Sequence, residues 1–345
     1  MASSKSRAKP TPASAATPLD VLTVGAATRD IFVRSSAFAR MTDTDAPDGF
    51  NVCFPMGAKL PAEEILSATG GGATNAAVTF ARLGLRTACI CRIGTDAAGE
   101  DVRKDLEREQ VSTGLIQTDR THATGQSVIF LAGTGERAIF TSRGASRELE
   151  VPAGLPTARA IYLTSLGGLT AHRERLSALA NASDALFAWN PGQAEIDDGL
   201  HALHHFLSRI DVLILNREEA AALAQVSPRF LDRILRILGP VPRRALVVTD
   251  GAKGAYAVSG GETWHAGQID APRINTTGAG DAFGSGFVAS LLSHPEDVPR
   301  ALQTAGLNGY GVVTHMGAKA GILKREPNAT ERLLIPIRQL RATSA

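Results

Sequence analysis

The stretch "INTTGAGDAFGSGF", Ile274–Phe287, holds four glycines in fourteen residues and one carboxylate, Asp281. Gly278, Ala279 and Gly280 stand just before an apolar helical run. Their small side chains leave backbone N–H groups open at a helix N-terminus, a place that suits an anion or a phosphate, and the helix dipole favours negative charge there. A carboxylate beside an anion site is repulsive unless it has a task. Asp281 can accept a proton from an attacking hydroxyl while the amides hold the group in transfer. The plainer reading is an ordinary acid in the first turn of a helix. Gly284 and Gly286, further along, are expected to let that helix pack closely.

These residues need elements to position them. "DVLTVG" reads as a buried first strand, "GGGATNAAVTFARLG" as a glycine turn into a helix, and "RTACICRIG" as a strand. "GEDVRKDLEREQV" reads as a charged amphipathic helix. "ARAIYLTSL", "ALFAWNPG", "DVLILNREEAAAL" and "RRALVVTDGAKGAYAVSGG" continue the alternation. The expected fold is α/β, a three-layer, mostly parallel sheet with helices on both faces. In such sheets ligands sit beyond the carboxyl ends of the strands. Asp30, Asn190, Asn216, Thr249 and Gly251 all follow strands directly. Two segments break the rhythm, at about 31–62 and 121–146. The second reads as a hairpin, with strands Ser127–Leu131 and Ala138–Thr141 and a turn at Gly133–Gly135, and is expected to form a small β lid. Residues 19–330 then make one domain, between a tail at 1–18 and a C-terminal tail or short helix at 331–345.

Composition narrows the function classes. The chain has 345 residues, is 44% hydrophobic, and carries a net charge of +2 with its basic residues interleaved among acids. That excludes a dense basic patch for nucleic acid, and no apolar run approaches a membrane span. Cys53, Cys89 and Cys91 form no Cys-x-x-Cys motif and read as small buried residues in a reducing compartment. "MASSKSRAKPTPASAATP" lacks acids and large apolar residues beyond Met1. It is expected to be a disordered tail in a cytoplasmic protein, although organellar import peptides share its basic, Ser-rich character. His201 and His205 share one helix face without an evident third metal ligand. Arg143 reaches either solvent or a substrate from the lid, and Trp189 reads as core. No G-x-x-x-x-G-K-[ST] loop occurs, and "GGGATN" lacks the spacing and position of a dinucleotide fingerprint.

Two motifs, "GGGATNAAVTFARLGLRTACICRIG" (Gly70–Gly94) and "NTTGAGDAFGSGFV", together with "LNREEA" and "VVTDGAKGAYA", resemble the ribokinase-like (PfkB) carbohydrate kinase family, which includes nucleoside kinases. The resemblance runs from about Val21 to about Leu323. It implies a ribokinase-like fold and phosphoryl transfer from ATP with Mg2+ to a sugar, or alternatively to a nucleoside, through a hydroxyl that is expected to be primary. It implies that Asp281 is the base and that Gly278, Ala279 and Gly280 form the anion hole. Asp30, Gly70, Gly71 and Asn75 match acceptor-binding positions. Asn216 and Glu219 match the element that places magnesium, indirectly through water, and the nucleotide phosphates. Asn190, Thr249, Gly251 and Gly254 match the nucleotide side, and Asn308 the position packing the adenine. Asn275 stands where the family usually has Asp, near a monovalent-cation site that also involves Thr277. Losing that formal charge argues against strong potassium activation. A nucleoside site would need aromatic residues such as Phe32, Phe50 or Phe54. A third reading, from another class, is a catalytically silent binding protein on the same fold. Exposed lid edges leave a homodimer open.

Overall fold

The computed structural model describes residues 18–43, 50–131, 137–152, 154–168, 172–182 and 184–340. The expected lid turn at Gly133–Gly135, nearly all of the N-terminal tail and residues 341–345 lie outside them. The chain enters with β1 (Leu19–Val24) and turns at Gly25 into β2 (Thr28–Arg34). A hairpin of β3 (Ala39–Thr42) and β4 (Phe50–Cys53) leads to β5 (Glu64–Gly70), which runs directly into helix α1 (Gly72–Arg82). Then come β6 (Thr87–Ile90), β7 (Arg92–Gly94), α2 (Ala97–Arg108), β8 (Gln117–Asp119), β9 (Gly125–Leu131) and β10 (Arg137–Ser142). A regular alternation follows: β11 (Ala158–Leu163), α3 (Arg173–Ala182), β12 (Leu186–Trp189), α4 (Gln193–Ile196), α5 (Gly199–Leu207), β13 (Val212–Asn216), α6 (Arg217–Ala224), α7 (Leu231–Leu238) and β14 (Ala245–Thr249). The chain closes with β15 (Ala255–Ser259), β16 (Glu262–Ala266), α8 (Ala279–Ser293), α9 (Val298–Val313), α10 (Ala329–Arg332) and β17 (Ile337–Leu340).

A nine-stranded sheet in the order β17-β16-β15-β14-β13-β12-β11-β1-β6 forms the middle layer. It is parallel from β14 to β6 and antiparallel from β14 to β17. Its parallel strands are apolar on both faces because helices cover both sides: β1, β11, β13 and β14 are buried almost end to end. One core packs α3, α5, α6 and α7 on one face, with Trp189 edge-on to Phe206 at 5.1 Å between ring centres. The other packs α1, α8 and α9 on the opposite face. His201 and His205 are exposed on α5, while Leu203 and Phe206 of the same helix are buried.

The segments expected to form a lid build a four-stranded sheet in the order β10-β9-β2-β5. The expected hairpin is present as β9 and β10, but the first lid segment differs from the expectation. β2 begins at Thr28 and β5 ends at Gly70, so the lid takes in Glu64–Gly70, beyond position 62. Ile65 is 68% exposed, so β5 lacks the buried alternation that marks a strand in sequence. The C-terminal segment also differs. The short helix α10 precedes β17, which pairs with β16 and extends the main sheet to residue 340.

Candidate active site

Asp281 lies in the first turn of α8, behind the N-cap Gly278, whose φ is 80°. Glycine adopts that conformation without penalty. A Cβ there would stand 2.6 Å from the Ala318 Cβ, so only glycine lets the loop after α9 close onto the helix start. A Cβ at Gly280 would meet nothing within 4 Å. The bare first turn therefore faces open space; the Ala279 N–H donates to the Thr276 carbonyl at 3.3 Å, while no backbone acceptor among the described residues takes the Gly280 and Asp281 amides.

Asp30 reaches the same region from β2. It shares the inward face of the lid with the buried Phe32 and is itself 4% exposed. The Thr28 hydroxyl donates to Asp30 Oδ1 at 2.9 Å. A Cβ at Gly70 would lie 2.0 Å from Asp30 Oδ2, so the missing side chain is what lets this carboxylate rest against β5. Gly71, with φ 95°, brings the start of α1 against the carbonyl of Ala26. One turn into α1, Asn75 Nδ2 donates to Asp281 Oδ2 at 2.8 Å. Asn75 Oδ1 is buried and has no hydrogen-bond partner among the described residues. It is an acceptor turned toward a missing donor, as a ligand hydroxyl would supply.

Burial raises the affinity of Asp281 for a proton, opposed by the Asn75 amide, aided by the negative charge of Asp30, and opposed again by the Lys319 ammonium. Asp30 is raised by burial too, against hydrogen bonds from Thr28 and Ser127 and the charge of Lys319. Glu219 is raised chiefly by burial, opposed by the Asn216 N–H and reinforced by Glu218 and Asp281. The field of Asp281 also helps keep the buried Tyr162 phenol well above its usual range, although burial dominates. Three carboxylates that resist ionisation thus converge on one end of the sheet, an arrangement typical of functional sites.

On the other side of the α8 start lies a cavity of about 180 Å³. Thr249, Gly251 and Gly254 line it from the turn after β14, Ala279 and Gly280 from α8, and Tyr310 from α9. A Cβ at Gly254, which has φ 92°, would fall 1.9 Å from the Ala266 carbonyl oxygen, so this glycine also holds the turn against β16. Asn216 caps α6: its Oδ1 accepts from Glu219 N, while Glu219 Oε2 accepts from Asn216 N, each at 2.8 Å. Asn190 Nδ2 donates to the Ile214 carbonyl at 3.0 Å, tying together the ends of β12 and β13.

Asn308 is not part of the cavity wall. It is fully buried, its Nδ2 donating to the Ala282 carbonyl at 2.7 Å and to Thr79 Oγ1 at 3.2 Å, while its Oδ1 accepts from Leu323 N at 2.9 Å. Its polar atoms are spent on joining α9 to α1 and α8, and the wall it was expected to supply comes from Gly306, Gly309 and Tyr310. Bare glycines at i and i+3 of α9 were the unused signal. Gly284 and Gly286 pack as expected: a Cβ at Gly284 would be 2.4 Å from the Tyr162 hydroxyl, and one at Gly286 would be 3.2 Å from the Asn308 Cβ. Asn275 Oδ1 accepts from Thr277 N at 3.0 Å, which leaves its buried Nδ2 without a partner among the described residues, as is Thr277 Oγ1. Asn275 keeps a carbonyl oxygen at this position but brings no formal negative charge to it. Sequence reasoning missed Lys319, a buried lysine in a loop with no motif around it.

A model of the pfkB family of carbohydrate kinases matches residues 51–325. The chain belongs to this family and is an ATP-dependent carbohydrate kinase by class. It is 27% identical to a ribokinase from Haemophilus influenzae over 78% of this chain and 89% of that protein. It is 29% identical to a fructokinase from Klebsiella pneumoniae over 67% and 79%, respectively. Among solved structures, Arabidopsis thaliana ribokinase complexed with ribose and ATP superposes with a TM-score of 0.72 at 21% identity, covering 92% of this chain and 98% of that one. Sinorhizobium meliloti adenosine kinase gives 0.70 at 23%, covering 89% and 98%. These likenesses establish the ribokinase-like fold. Among the described residues, no helix is long and apolar enough to cross a membrane.

Proposed function

We propose that this kinase transfers the γ-phosphoryl group of ATP to a primary hydroxyl of a sugar in the cytoplasm, with Asp281 as the base. The observation that carries the reading is the 2.8 Å contact of Asn75 Nδ2 with Asp281 Oδ2, beside the bare first turn of α8. It joins the residue that would hold the acceptor to the one that would deprotonate it. Asp30 and the free Oδ1 of Asn75 bind and orient the sugar hydroxyls. Asp281 takes the proton of the attacking hydroxyl at its carboxylate. The amides of Gly278–Gly280 face the phosphoryl group in transit, and preorganised donors of this kind need no rearrangement at the moment of reaction. Nucleotide occupies the cavity between Thr249 and Tyr310. Magnesium, when bound, neutralises phosphate charge. Glu219 fits an indirect role through water, because one of its oxygens is already engaged by Asn216 N. Lid closure excludes water from the transfer.

A sugar is favoured over a nucleoside by the lid aromatics. Phe32 is fully buried, and Phe54, although 47% exposed, packs on Phe38 and on Phe130, whose face of the sheet is turned away from Asp30. The side chain of Phe50 lies outside the described residues. A homodimer through the outer face of the lid is part of the same proposal. The test is ATP consumption against pentoses, hexoses, ketose phosphates and nucleosides, with and without potassium. A sugar should give the highest kcat/KM, with little potassium effect, since Asn275 brings no formal charge to its position. Asp281→Asn should lower kcat by at least about 10²-fold while ADP affinity is kept. Near-normal turnover in that variant would remove Asp281 from the mechanism.

A further inference from the structure

Lys319 is only 8% exposed. Its Nζ donates to Thr69 Oγ1 at 2.9 Å and pairs with Asp105 Oδ2 at 3.0 Å. Asp105, on α2, also accepts from the Thr69 hydroxyl and pairs with the exposed Arg108. Each contact has a consequence near the site. Thr69 immediately precedes Gly70, whose bare Cα receives the Asp30 carboxylate. Ala318, next to Lys319, is the residue that closes onto Gly278 at the start of α8. One buried ammonium therefore joins three pieces of chain: the loop after α9, the end of β5 and the last turn of α2.

A buried ammonium is costly unless paired. Burial for fold stability alone would be met as well by an apolar side chain. Lys319 instead lies where both Asp30 and Asp281 feel its charge. The groups facing Asp281 are Asp30 from β2, Asn75 from α1, Glu219 from α6, Tyr162 from β11 and Lys319 from the loop after α9. Lys319 is the cation of that set. The thiols of Cys89 and Cys91 also lie within its field.

We propose that Lys319 is a positioning residue of the transfer step: clamped between Thr69 and Asp105, it ties the start of α8 to the acceptor wall and keeps a fixed positive charge beside Asp30 and Asp281. This rests on the reading of Asp281 as the base. Removing the charge makes the Asp281 carboxylate harder to form, so the loss is greatest at low pH.

The experiment compares Lys319→Met, Lys319→Arg and the double variant Asp105→Asn/Lys319→Met in the full chain. It uses Mg·ATP and the best acceptor from the panel above. Lys319→Met should move the acid limb of kcat/KM to higher pH, with about tenfold more loss at the acid end than at the plateau. ADP affinity should stay within about twofold. Lys319→Arg, which keeps the charge, should return the limb to its wild-type position. The double variant leaves no uncompensated buried charge, so it should melt as the wild type does and still show the shifted limb. An unshifted limb in any folded variant lacking the ammonium overturns the proposal. So does failure of both charge-free variants to fold, because Lys319 is then a requirement of the fold alone. Asp281→Asn, assayed in parallel, separates the two readings: if it keeps turnover, the base assignment fails whatever the Lys319 variants do.

Discussion

Asp281 works in surroundings that oppose its charge. Burial and the nearby Asp30 both raise its proton affinity, and only the Asn75 amide and the Lys319 ammonium pull the other way. A carboxylate raised in the fold stabilises it only when protonated, below the ordinary carboxylate range, and that contribution is lost as pH rises through the folded value. At pH 7 the ionised form therefore weighs against folding. Asp281→Asn, whose amide oxygen can still accept from Asn75, should raise the melting temperature at pH 7 by about 2 °C while turnover collapses. Differential scanning calorimetry reads the first effect, and an unchanged or lowered transition would contradict it. The same raised affinity puts the acid limb of the wild-type kcat/KM profile above the range of a solvent-exposed aspartate.

At the scale of elements, the site is assembled from the ends of strands and the beginnings of helices, and one residue serves both fold and function. Asn216 ends β13 and caps α6, and in the proposed reading it also serves the phosphate side. Asn216→Ala should cost about 1 kcal/mol of stability through the lost cap, measured by urea unfolding. Asn216→Ser, another good cap, should regain that stability without regaining kcat; full recovery of both would reduce Asn216 to a cap. Much of this arrangement was legible in the sequence. The parallel strands are unbroken apolar runs, the glycines at 278 and 280 stood out because bare backbone is rare beside a carboxylate, and Gly70 and Gly71 were marked by the family resemblance. β5 was not legible, because Ile65 points to solvent and breaks the expected alternation. Asn308, which the resemblance placed beside the adenine, has polar atoms held by Ala282, Thr79 and Leu323, partners that no local pattern announces. Lys319 carries no local pattern, since Thr69 and Asp105 come from distant parts of the chain.

Among the described residues, the outer face of the small sheet is largely apolar. Ladder register puts Ile65, Val33 and Phe130 in one row of the lid and Ser67, Ile31, Val128 and Phe140 in the next, all on the face turned away from Asp30. Phe140 is 63% exposed on this face. A continuous apolar face on a β-sheet is a natural surface for a second copy to cover. Phe140→Glu with Ile65→Lys should halve the mass seen by light scattering. A wild-type chain that is already monomeric at tens of micromolar would rule that assembly out. The far edge of the main sheet has a different consequence. Ile335, which leads into β17, lines the cavity below Tyr310, and the Pro336 carbonyl accepts from Gly267 N at 2.8 Å. The segment around Ile335 and Pro336 is thus a wall of the cavity proposed for nucleotide as well as the lead into the sheet's edge strand. Docking of β17 and occupancy of that cavity are then thermodynamically linked, so on the proposed reading whatever pulls this strand away loosens nucleotide, and bound nucleotide shields the strand.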